Sequence, residues 1–136
     1  LVQFSKTCIE MKKKKAAKRQ IRLAILSNAG GSGKTTAAVH LAYGIGVRGY
    51  KVTLMELDSN GSIQTFARLP RSTPERSLSA VLRKEFNGEY PFVPLWSDHV
   101  PNIWAIQGGA PLRESVTEIN NSERKSQTLA DRLEDY

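Results

Sequence analysis

The chain has 136 residues, 40% of them hydrophobic and 24% charged, which suits one globular domain with its own core. No apolar run is long enough to span a bilayer and no secretory signal opens the chain, so the expectation is a soluble, cytoplasmic protein without a transmembrane segment; the single cysteine, Cys8, excludes an internal disulfide. The net charge of +7 lies wholly in the first 22 residues, where eight lysines and arginines face only Glu10, while the remainder holds twelve charges of each sign.

Residues 1–20 therefore read as a basic, flexible arm and residues 21–136 as a folded domain of nearly balanced charge. Non-specific, salt-sensitive attraction to DNA or to an anionic membrane surface would have to come from the arm. The plainer alternative is a solvated tail, or residues upstream of a start at Met11.

Residues 21–27, carrying Leu23-Ala24-Ile25-Leu26, predict a short strand buried on both faces, as in a parallel sheet. Asn28-Ala29-Gly30-Gly31-Ser32-Gly33-Lys34-Thr35-Thr36 follows: three glycines within four residues, a lysine and two hydroxyl side chains. Glycines let backbone N–H groups converge on one point, and a helix starting there aims the positive end of its dipole at the same point. An anion belongs in such a cradle. The pattern G-x-x-x-x-G-K-[ST] is met at Gly33, Lys34 and Thr35, with Asn28 at its first glycine. Lys34 can then reach the β- and γ-phosphates of a nucleotide, and the Thr35 hydroxyl can ligate magnesium.

Residues 34–47 predict a helix with Ala38, Leu41, Ala42 and Ile45 on its core face, stopped at Gly49; His40 reads as a boundary residue. Residues 51–58 predict a strand that delivers Glu56 and Asp58 to the phosphate site, two carboxylates whose spacing places them on one face. The two strands and the helix between them predict a right-handed βαβ unit. Short helices are expected over residues 63–69 and 75–85. Residues 90–101 read as an irregular loop, with Trp96 and Trp104 in the core. A third strand is expected over residues 102–107, and a polar helix over 112–133 anchored by Leu129 and Leu133.

The stretch from Leu23 to Ser62 resembles the ParA/MinD family of partition and positioning ATPases. That family's loop reads K-G-G-x-G-K-T-T, and its second strand ends D-x-D-P-x-G-N. Here the loop is Ala29-Gly30-Gly31-Ser32-Gly33-Lys34-Thr35-Thr36 and the strand end is Glu56-Leu57-Asp58-Ser59-Asn60-Gly61-Ser62. Beyond these, Ser77-Leu78-Ser79-Ala80-Val81-Leu82 is similar to the family's next helix, and Pro101-Asn102-Ile103-Trp104-Ala105-Ile106 to its third strand.

The resemblance implies an α/β, P-loop NTPase-like three-layer fold with a mostly parallel sheet, truncated before the Walker B strand. It further implies an ATPase of plasmid or chromosome segregation that binds ATP or ADP with Mg2+, forms a homodimer around it, and is stimulated by a partner protein. By the matching positions, Gly30, Gly31, Ser32, Gly33 and Lys34 would cradle the phosphates, Thr35 would ligate magnesium and Thr36 would bond the α-phosphate. Asp58 would orient the attacking water or stand in the metal's outer shell, which makes Lys34 and Asp58 the expected catalytic pair; Glu56 would replace the family's first aspartate. Ala29 stands where the family has its signature lysine, which puts dimerisation and fast turnover in question. Two alternatives stay open: a DNA- or membrane-tethered module that holds nucleotide without hydrolysing it, and a dinucleotide-binding domain.

Overall fold

The computed structural model describes residues 20–83, 86–120 and 127–134. The basic arm, with Cys8 and Met11, lies outside them apart from its last residue. The long helix α1 spans Lys34–Val47, as its sequence predicts. It starts at Gly33 and stops where the N–H groups of Arg48 and Gly49 return to Ile45 O and Gly46 O, with Gly49 left-handed at φ 86°. Its buried residues are Val39, Ala42 and Gly46, whereas Leu41, expected on the core face, is 42% exposed. The cause is Gly46. A Cβ there would lie 2.5 Å from Ile103 Cδ1, so the helix leans on its bare edge and Leu41 turns outward.

Strand β1, Val52–Met55, pairs in parallel with the strand Ile103–Ile106, whose other edge takes the two-residue antiparallel strand Val93–Pro94. In chain order the latter two are β3 and β2, and the sheet runs β1-β3-β2. The sheet of this α/β chain is therefore small and mixed, parallel only at β1–β3. Strand β2 falls in the stretch read as an irregular loop; Pro94 is tolerated because an edge strand can spare an N–H.

Alternation along β3 builds three layers. Ile103 and Ala105 face one way, into a cluster with Ile63, Leu95 and Val100, on the side of α1 and of α2, Ser62–Phe66. Ile106 faces the other way, against Leu78, Val81 and Leu112, from α3, Leu78–Leu82, and α4, Pro111–Asn120. Helix α5, Thr128–Glu134, adds Leu129 to this second cluster. Trp96 packs against the first cluster and meets Tyr43 edge to face; Trp104 is half-buried.

Three expectations are corrected. Residues 21–27 form no strand: Ile21, Leu23 and Leu26 are 83%, 69% and 85% exposed. The two edges of β3 are taken by β1 and β2, and the run pairs with no strand although the outer edge of β1 is unpaired among the described residues, so the βαβ unit is not formed. The helix expected over 75–85 splits into a 3₁₀ turn, Pro74–Arg76, and α3. Ser77 divides them, extended at φ −141°, with its hydroxyl capping Ser79 N–H; Glu85 lies outside the described residues. The helix expected over 112–133 is two, α4 and α5, with 121–126 outside the described residues. No described helix is long and apolar enough to cross a membrane.

The two glycines of α1 make a testable contrast. A Cβ on Gly44 would meet only Arg48 Nη1, at 3.7 Å, so Gly44→Ala is expected to stabilise by about 0.5–1 kcal/mol through the lost freedom of the unfolded chain. Gly46→Ala must push Ile103 aside and is expected to destabilise by about 1–3 kcal/mol. Denaturant midpoints of the two variants, moving in opposite directions, check this.

Candidate phosphate-binding cleft

The turn that follows Asn28 enters α1 directly. Gly31 and Gly33 sit at φ 70° and 81°, where an L side chain is strained, so both positions need glycine. A Cβ on Gly30 would meet nothing within 4 Å; there the open approach to the backbone is the useful property. Ala29 N–H is held by Ser27 Oγ at 3.2 Å, and Lys34 Nζ reaches back across the loop to donate to Ala29 O at 3.0 Å. The first backbone bond of α1 runs from Ala37 N–H to Gly33 O, and no side chain caps the helix. The N–H groups at 34–36 are therefore the orphan donors of a helix start, with the positive end of the helix dipole behind them.

The facing wall comes from the C-terminal end of β1. Asp58 turns the chain by accepting Asn60 N–H on Oδ1 at 2.9 Å, and Gly61, left-handed at φ 68°, leads into α2. Between the two walls lies a cleft of about 520 Å³. Gly30, Gly31, Ser32, Gly33, Lys34, Thr35 and Thr36 line one side and Asp58 the other. Eight of the nine residues singled out from the sequence thus border one space. Asn60, Ser62, Thr65 and Phe66 border it too; the sequence reading missed them, though a turn after a strand end, followed by hydroxyl side chains, was the available signal.

Glu56 is the exception. Expected beside Asp58 on a shared face, it is instead 6% exposed and absent from the cleft lining. Oε1 accepts Ile63 N–H at 3.0 Å and Oε2 accepts Gly108 N–H at 3.1 Å. Strand alternation ends at Met55, so the two-residue spacing no longer places both carboxylates together. His40 is exposed, its Nδ1 2.7 Å from Thr36 O and its ring edge-on to Phe66. Among the described residues no group of three or more His, Cys, Asp or Glu side chains gathers as a ready metal site.

One wall offers a cation and the uncapped amides of a helix start, the other a carboxylate and an amide side chain. That pairing suits a polyanion with a divalent cation between it and the carboxylate.

Comparison with known proteins identifies the family. A family model described as the CobQ/CobB/MinD/ParA nucleotide binding domain matches residues 23–133. The chain is 32% identical over 113 residues to the chromosome partitioning protein ParA of Caulobacter vibrioides, in strains NA1000 / CB15N and ATCC 19089 / CIP 103742 / CB 15 alike, covering 82% of this chain and 41% of each relative. It is 30% identical over 95 residues to a putative replication protein A of Rhizobium rhizogenes, covering 68% of this chain and 24% of that one. The chain thus spans well under half the length of these relatives. No solved structure gives a significant match.

Proposed function

Since the chain belongs to the CobQ/CobB/MinD/ParA nucleotide-binding family, we propose that it binds Mg-ATP in the cleft at residues 30–36 and serves as a ParA-like ATPase in plasmid or chromosome partition. The observation that carries the reading is the single cleft shared by the glycine loop, Lys34, Thr35 and Asp58. In this reading the amides of residues 30–36 and Lys34 hold the phosphates, Lys34 giving up Ala29 O for a phosphate oxygen. Thr36 bonds the α-phosphate. Thr35 Oγ1 and Asp58 stand on opposite walls at the place for a metal, Thr35 as ligand and Asp58 in its outer shell or orienting the attacking water.

Magnesium, held by Thr35 with Asp58 beside it, would neutralise the charge of the phosphate oxygens. One hydroxyl and one carboxylate are enough protein for it, because Mg2+ keeps water and takes phosphate oxygens for the rest of its shell. A nucleotide-bound homodimer, a stimulating partner protein, and non-specific contact of the basic arm with DNA complete the proposal.

Ala29 favours a second reading, nucleotide held with little turnover. A methyl group in place of the signature lysine removes a cation from the phosphate site, and cations there stabilise the charge that develops in the transition state.

Displacement of a fluorescent ADP analogue tests the ligand class. ATP and ADP should compete and EDTA should weaken both, while NADH at the same concentration should not compete. NADH outcompeting ATP would overturn the assignment in favour of a dinucleotide site. Phosphate release measured alongside distinguishes turnover from retention.

A further inference from the structure

Glu56 is a buried carboxylate that the proposed chemistry leaves without a task. Each of its oxygens accepts one backbone amide: Oε1 that of Ile63, in the first turn of α2, and Oε2 that of Gly108, just past β3. Buried charge is costly unless its lone pairs are met, and here both oxygens are engaged by amides. The bond to Ile63 closes a loop over the residues between, which include Asp58 and Asn60 of the cleft wall. A second fastening pins that loop at its middle, where Gly109 N–H donates to Asp58 O at 3.0 Å. The turn at 107–109 is itself anchored: Gln107 O accepts Leu78 N–H at 2.7 Å, and Gly108 O accepts Ser72 Oγ at 3.0 Å. The wall of the cleft is thereby tied to the end of β3 by the Glu56 side chain and by the backbone bond from Gly109 to Asp58.

We infer that Glu56 is a positioning residue: its carboxylate clamps the Ile63 and Gly108 amides and so sets Asp58 at the metal side of the cleft. The inference rests on the nucleotide reading above and goes beyond it, because it divides the site into two parts. The amides at 30–36 bind phosphate whether or not Glu56 is intact. The contribution made through Asp58, which depends on Mg2+, requires Glu56.

The test uses the whole chain and two variants. In Glu56→Gln, one carboxylate oxygen becomes an NH2 group that opposes a backbone N–H, so one half of the clamp is lost. In Glu56→Asp the charge is kept but the reach is one methylene shorter. Affinity for a fluorescent ADP analogue is measured with Mg2+ and with EDTA, and amide hydrogen exchange is followed at Ile63 and Gly108 without nucleotide. Glu56→Gln is expected to keep metal-free binding within about twofold, to lose about tenfold of the gain from Mg2+, and to speed exchange at the amide that faces the new NH2 group, as expected for a lost hydrogen bond to a charged group. Glu56→Asp is expected to fall between it and the wild type.

An undiminished gain from Mg2+ in Glu56→Gln overturns the inference and leaves the nucleotide reading standing. An equal loss with and without Mg2+ overturns it as well, since general loosening would do that. Should neither variant fold, the wild-type exchange decides: fast exchange at Ile63 and Gly108 shows that no clamp exists. A wild-type chain that binds no nucleotide overturns both readings.

Discussion

Saturating Mg-ATP or Mg-ADP is expected to raise the melting temperature of this chain by about 10 °C, and Lys34→Ala is expected to abolish the rise. A ligand that binds only the folded state stabilises by about 2.7 kcal/mol at a hundred times its Kd. For a domain of this size each kcal/mol moves the midpoint by several degrees. The substitution should do little to the ligand-free protein. Lys34 makes one hydrogen bond, to Ala29 O, at a site open to water, and such bonds contribute about 0.5–1.5 kcal/mol at most. Its role toward phosphate is different in kind, because the amine sits in a cleft where the other polar groups are neutral donors and one acid. Removing it takes away the one formal positive charge among the described lining residues. Thermal melting of wild type and variant, with and without millimolar nucleotide, checks both halves of the expectation. An unchanged midpoint for the wild type at millimolar Mg-ATP would remove the basis for an ATP site.

The parts of this site that could be read from the sequence are the local ones. Gly33-Lys34-Thr35 fixes the start of α1 because left-handed glycine, uncapped amides and helix-forming residues are decided within one turn of chain. Strands β1 and β3 were legible for a similar reason, each an apolar run closed by turn residues, though the parallel pairing of Val52 with Ile103 joins residues 51 apart.

What escaped the sequence depends on distant partners. The apolar run at 21–26 announces burial but carries no information about which strand would lie beside it, and Ile21, Leu23 and Leu26 are exposed. Leu41 satisfied the helical spacing, yet a close approach of Gly46 to Ile103 chose a different face for the core. Glu56 shows the limit most plainly. Two residues before Asp58 it reads as half of an acidic pair, and Ile63 together with Gly108, 52 positions away, makes it a structural carboxylate. Its signal in the sequence was the Gly108-Gly109 pair at the end of the third strand, which marks a place where backbone must come close to backbone.

That close approach makes Gly108→Ala the second substitution with a large expected effect. An alanine Cβ at this position would lie 2.5 Å from Asp58 O and 2.6 Å from Glu56 O, with Glu56 Cγ at 3.0 Å. The two nearest atoms are backbone oxygens at the end of β1, and no rotamer change can move them aside. Relief requires the ends of β1 and β3 to part, which would stretch the bonds from Glu56 N–H to Ile106 O and from Gly109 N–H to Asp58 O. Overpacking of this kind costs about 1–3 kcal/mol and occasionally more. The upper end is expected here because the strain falls on backbone and takes the Glu56 to Gly108 bond with it. A loss of about 3 kcal/mol lowers the melting temperature by roughly 10 °C or more in a domain of this size, yet leaves a folded majority if the starting stability is the usual 5–15 kcal/mol. The displaced atoms include the carbonyl of Asp58 itself. Nucleotide affinity in the presence of Mg2+ should therefore fall together with stability in Gly108→Ala. Gly30→Ala, whose Cβ meets nothing within 4 Å, should melt like the wild type. Equal melting temperatures for Gly108→Ala and Gly30→Ala would mean that β1 and β3 do not meet as closely as these contacts require, and the fastening of the cleft wall to β3 would fail with them.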